Sequence, residues 1–100
     1  MEEVFSLAAI ELRRPINAVV LPEGSALAYV ALGGQLGGGG LEVVDLADPG
    51  APRRLAAFES SWAVWDVAVS GEFAYLAETG GLRVVNWTDP PADVARIASV

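Results

Sequence analysis

Read for hydrophobic and polar positions, the chain separates into short apolar runs at 16 to 21, 27 to 32, 41 to 46, 53 to 58, 64 to 70, 73 to 77, 82 to 87 and 94 to 100. Val, Tyr, Phe and Trp enrich these runs, and "PEG", "SG", "GG", "DPG" and "DPP" separate them, which is the vocabulary of strands joined by tight turns. No segment holds a helical period. The middle runs, "LAYVAL" and "FAYLA", are apolar at successive positions and do not alternate, so both faces of the sheets they build must be covered.

The pattern is said twice. "LEVVDLADPG" at 41 to 50 returns as "LRVVNWTDPP" at 82 to 91, with Leu41 on Leu82, Val43 on Val84, Val44 on Val85, Asp45 on Asn86, Asp48 on Asp89 and Pro49 on Pro90. Upstream, "ALAYVALGG" matches "EFAYLAETGG", placing Ala28 and Tyr29 on Ala74 and Tyr75. The offset between the copies changes at "GGQLGGGG", which reads as a lengthened, flexible surface hairpin between two otherwise equivalent strands. "RLAAFE" at 54 to 59 has an echo in "SLAAIE" at 6 to 11 and a weaker one in "RIASV" at 96 to 100. Two complete units and one extra leading segment result. A four-stranded sheet covered on both faces and repeating every 40 to 45 residues or so describes a propeller blade.

Composition narrows the partners. With 53% apolar residues drawn heavily from Ala and Val, the core is expected in thin, closely spaced layers. A formal charge of −7 is a poor footprint for phosphate, so nucleic acid is not expected as a partner. The longest apolar run, "ALAYVAL" at 26 to 32, is far below the roughly 20 residues of a membrane helix, so no membrane insertion is expected. Cys is absent, which removes disulfides and thiolate sites. "MEEVFSLAAIE" places acidic residues where a signal peptide carries positive charge, so the chain as written reads as cytoplasmic.

"DVAVSGEFAYLAETGGLRVVNWTDP" and "LEVVDLADPGAPRRLAAFE" resemble the LVIVD repeat, a β-propeller repeat of bacterial and archaeal proteins, many of them expected to be exported or on the surface. Leu82, Val84, Val85 and Asn86 occupy its naming positions in the second copy, and Leu41, Val43, Val44 and Asp45 those in the first. The first copy departs by its glycine loop, and "LPEGSALAYVA" is closer to the "PDG…YV" phrase of other bacterial propellers. The resemblance implies a fold and no established activity. Trp65-Asp66 spells "WD", but it opens a first strand, whereas the dipeptide of WD40 blades closes a third.

The expected fold is therefore all-β, a partial propeller of two four-stranded antiparallel blades: residues 1–15 as the leading outer strand of a neighbouring blade, 16–63 as blade 1 and 64–100 as blade 2. A pair of blades leaves an apolar face bare at each end. Either further blades lie in cis, the chain being a fragment of a longer propeller as its stop within an outer-strand pattern suggests, or copies self-associate in trans, three of them supplying six blades.

Candidate chemistry is sparse. The tract "LGGQLGGGG" lacks the Lys, the GxGxxG spacing and the following helix of a phosphate loop. Asp45 with Asp48, and Asn86 with Asp89, are a repeated oxygen pair that could serve Ca²⁺, but Asx residues before Pro also cap turns locally, and that explains the repetition without metal. No cofactor or metal is expected. Trp62, Trp65 and Trp87 with Arg13, Arg14, Arg53, Arg54 and Arg83 could line sugar- or peptide-binding pockets, although aromatics packed between blades are the ordinary outcome. Trp62, outside the strand pattern in "ESSWAV", is the residue expected to serve surface recognition. With neither His nor Cys, the usual bases and nucleophiles are missing; Glu72 and Glu78 are the remaining carboxylate pair, and no catalytic residue is assigned. The expectation is a non-enzymatic interaction scaffold, the alternative a lectin-like ligand-binding module formed when two-blade chains oligomerise into a ring. The partner, protein or small ligand, is not specified by the residues.

Overall fold

A computed structural model of the chain describes residues 6–12, 14–34 and 37–86, and the backbone of 95, 96, 98 and 99. The strands are β1 (Ile16–Val20), β2 (Leu27–Gly33), β3 (Gly39–Asp45), β4 (Arg53–Ser60), β5 (Val64–Ser70), β6 (Phe73–Glu78), β7 (Gly81–Asn86), β8 (Ala95–Arg96) and β9 (Ala98–Ser99). They form two sheets, ordered β1-β2-β3-β4-β8 and β5-β6-β7-β9. Within each, the sequential long strands pair antiparallel, so the chain is all-β and built as consecutive meanders, the arrangement of two propeller blades. The turns follow from their residues: Gly71 takes a φ of 58° at the first position of the two-residue loop closed by Ser70 and Phe73, where a side chain would be strained.

The strand positions match those expected, with two differences. The run at 94 to 100 does not form one outer strand. Ala95–Arg96 pairs parallel with β4, and Ala98–Ser99 pairs antiparallel with β7. Both β4 and β7 present an edge of unpaired backbone groups, and a short segment passing between them satisfies part of each.

The second difference lies in the glycine tract. The flexible hairpin expected there is largely strand: Gly39 and Gly40 are buried in β3 and lie between Gly33 and Leu32 on one side and Ser60 and Glu59 on the other. The reason is steric. A Cβ at Gly38, Gly39 or Gly40 would collide with the carbonyl oxygens of Ser60, Leu32 and Phe58 respectively. The glycines permit close backbone approach and are not there to supply slack.

The sheets stack face to face. Tyr29, Ala31, Leu41, Val43 and Ala56 of blade 1 form one buried cluster with Val64, Val67, Ala74, Leu76 and Val85 of blade 2. The layer is thin, as the Ala and Val content predicted. A smaller cluster of Ala28, Val30, Leu32 and Val44 lies on the opposite face of blade 1, with Leu12 and Leu46 packed against it. Along the inner strands, the Asn17 amide donates to the carbonyls of Gly33 at 2.9 Å and Val64 at 2.8 Å, tying β1 to β5.

Two outcomes test this packing. Replacing Gly40 by Ala should cost about 2 kcal/mol or more, because backbone on the neighbouring strand must move; a denaturation midpoint unchanged from wild type would show that the approach is not tight. Burial pushes the Tyr29 phenol up from 10.0 to about 12. Below pH 10 folded and unfolded chains bind equal protons at this group, and above it the unfolded chain loses its proton first. Stability should therefore decline as pH rises from 10 toward 12, by roughly 2 to 3 kcal/mol in total. In Tyr29→Phe that component of the alkaline loss in denaturation midpoint should vanish.

Candidate functional site

The one rim where exposed aromatic surface meets clefts is built by the linker from β4 to β5. Ser60 ends β4, and its hydroxyl donates to Glu78 Oε2 at 2.6 Å while accepting the backbone N–H of Trp62 at 3.1 Å. This fixes the linker backbone and turns the Trp62 indole outward, 54% exposed. The Thr79 N–H donates to the Ala63 carbonyl at 3.1 Å, holding the β6–β7 hairpin beside the linker. Trp65 sits in the bulge between Val64 and Asp66, and its Nε1 donates to Thr79 Oγ1 at 2.9 Å. Its ring is also exposed, so two indoles stand on one rim with their polar groups engaged and their rings presented.

Trp62 borders two open clefts. One of about 440 Å³ runs from Trp65 past Ser61 to Gly34 and Gly37. The other, about 580 Å³, lies over the β6–β7 hairpin with Leu82, Arg83 and Glu78 in its wall. Beneath it, Glu78 is nearly buried and receives the Arg83 Nε at 2.8 Å as well as the Ser60 hydroxyl. The Arg83 guanidinium lies 5.3 Å from the centroid of the Phe58 ring in blade 1. Ser60, Glu78, Arg83 and Phe58 thus form a polar latch across the two blades, and the rim stands on it. A third, smaller cleft of about 180 Å³ on blade 1 is lined by Arg14, Glu42, Arg54 and Glu59. There the nearly buried Glu42 accepts from Arg54, and Arg14 donates to the Gly38 carbonyl at 2.9 Å.

The other candidates fall out differently. Asp45 Oδ1 accepts the Ala47 N–H at 2.8 Å and Asp48 Oδ1 the Gly50 N–H at 3.0 Å, so both make the local turn bonds that their position before Pro suggests. Asp89 lies outside the described residues, and among those described no group of three or more acidic residues could hold a metal ion. Glu72 and Glu78 occupy opposite ends of β6, on the order of 20 Å apart at strand rise, and are not brought together. Of the Trp and Arg residues considered jointly, Trp62 and Arg83 share a cleft, Arg14 and Arg54 belong to the separate cleft on blade 1, and Arg53 opens β4. Arg13 and Trp87 lie outside the described residues. Trp65, which packing between blades would bury, is on the rim because the bulge redirects it. A signal existed: the residue at the corresponding bulge of blade 1 is Asn17, a polar residue.

Consecutive four-stranded-type meanders stacked face to face define a β-propeller-like repeat module. Residues 63–90, spanning β5, β6 and β7, match the family model described as LVIVD repeat, so the second blade is a repeat of that family. No curated protein and no solved structure matches the chain.

Latch and rim separate under substitution. Glu78→Ala removes the acceptor of two bonds, one from a cation, and should lower stability by about 2 kcal/mol. Trp62→Ala should change it by less than about 0.5 kcal/mol. Equal losses in chemical denaturation would mean that the indole is part of the core.

Proposed function

We propose that the chain is a non-enzymatic interaction scaffold whose recognition surface is the Trp62 rim. The observation that carries this is the pair of indoles, Trp62 and Trp65, held outward on a rigid latch between two open clefts. Large, stiff aromatic rings lose little conformational entropy on binding and dominate recognition surfaces for that reason. Their support is built of buried strand ends and backbone bonds, so the rim needs little rearrangement to bind. The excess of acidic residues disfavours nucleic acid and anionic lipid as partners and leaves protein segments, neutral or basic, as the expected class. The lectin-like reading draws on the same feature, since an exposed indole also stacks on a sugar face.

A peptide library and a glycan array, each probed with wild type and with Trp62→Ala, test the assignment. Peptide binders should be recovered that lose at least tenfold in affinity in Trp62→Ala while circular dichroism stays unchanged. Glycan binders with the same dependence would replace the protein-scaffold reading with the lectin reading. Binders indifferent to Trp62, or none on either support, would remove the rim as a recognition surface.

A further inference from the structure

The two outward faces of the blade pair are the two halves of the interface already formed inside the chain. Strand register establishes the correspondence. Ile16 lies opposite Leu32 and Val19 opposite Val30 in blade 1, as Val64 lies opposite Glu78 and Val67 opposite Leu76 in blade 2. Ala31 pairs with Leu41 and Tyr29 with Val43, as Ala77 pairs with Leu82 and Tyr75 with Val84. Inside the chain, the face with Tyr29, Ala31, Leu41 and Val43 is sealed against the face with Val64, Val67, Leu76 and Val85. At the ends, the corresponding positions face water. Leu41 is 0% exposed and Leu82 71%, Val64 0% and Ile16 53%, Val67 5% and Val19 57%.

The leading segment repeats the relation. Leu7 stands where Leu55 stands in the "RLAAFE" echo; Leu55 is buried in β4, and Leu7 is exposed. Leu12 packs against the cluster containing Leu32 at the place where Ser60 bonds Glu78 in the next blade. Residues 6–12, which form no strand in the chain, thus run where the outer strand of a preceding blade would run. That preceding blade has a counterpart here: β7 has an outer edge paired at Val85 and Asn86 with the two residues of β9.

We propose that a second copy of this chain covers each end, head to tail. The blade 2 face of one copy, bearing Tyr75, Leu82 and Val84, seats on the Ile16 and Val19 face of the next. The next copy's leading segment then comes alongside β7. The interface is heterologous, since each copy offers one face of each kind, and addition continues until the rotation closes a ring. At two blades per chain, the usual range of about four to eight blades corresponds to two to four copies. This inference goes beyond the rim and does not depend on it.

Sedimentation equilibrium on the full chain, with Leu82→Glu, Ile16→Glu and an equal mixture of the two, tests it. Wild type should have a mass that is a whole-number multiple of the protomer. Each variant should fall to the mass of one protomer with its β-sheet circular dichroism retained, because both positions are solvent-facing in the single chain. The mixture should give dimers and stop there, since each variant keeps the one face that the other lacks. Where either glutamate disturbs folding, Leu82→Thr and Ile16→Thr keep β propensity and should raise the dissociation constant at least tenfold. A monomeric wild type would assign the ends to another occupant and overturn the proposal. So would loss of assembly in one variant alone, or a mixture that stays monomeric.

Discussion

Contact between the two sheet faces is the constraint on which the rest of this structure depends. Tyr29, Leu41 and Val43 on one side and Val64, Val67, Leu76 and Val85 on the other are buried together, and no other contact joins the blades over comparable apolar area. The side chains in it are mostly small, so the layer is thin and the backbones of linker and strands crowd at its edge. That crowding is what places Gly38, Gly39 and Gly40 against carbonyls of β2 and β4. It also holds the β4–β5 linker against the β6–β7 hairpin, through Ser60 to Glu78 and Thr79 to Ala63, and so puts Trp62 and Trp65 on one rim. The rim is a consequence of the packing and has no separate scaffold.

Most of this architecture is legible in the residues, because turn chemistry and repetition are local signals. "PEG", "SG" and the paired Asx-x-x-Asp-Pro phrases mark where strands stop, and the internal match of Ala28-Tyr29 to Ala74-Tyr75 sets the blade register without any knowledge of the core. Glycine is where such reading fails. A run of glycines serves a loop that must move or a backbone that must come close, and the residue type is the same for both. Only the carbonyls of Ser60, Leu32 and Phe58 distinguish them, and these are brought there by the third dimension. Trp65 is misplaced for a related reason: one bulge inverts the parity by which strand residues alternate between faces. Trp62 escapes the problem because it stands outside any strand, where its exposure depends on the linker alone.

The outermost strand was the least legible element. The "RIASV" echo is weak, and an outer strand has a partner on one side only, so its placement depends on which free edge reaches it first. In this chain two edges compete, and the segment divides between β4 and β7.

The repeats diverge at a few positions, and the divergence has a direction. Where blade 2 carries Glu78 and Arg83, blade 1 carries Leu32 and Glu42; where the linker carries Ser60, the leading segment carries Leu12. The joint inside the chain is therefore latched by a nearly buried carboxylate with a hydroxyl and a guanidinium, groups that tolerate only a narrow geometry. At the corresponding place on blade 1 the contact is Leu12 against Leu32, with Glu42 satisfied separately by Arg54. Apolar contact is non-directional and forgives small rotations. One joint is thereby fixed by directional bonds, and the ends are left to surfaces that hold by burial alone.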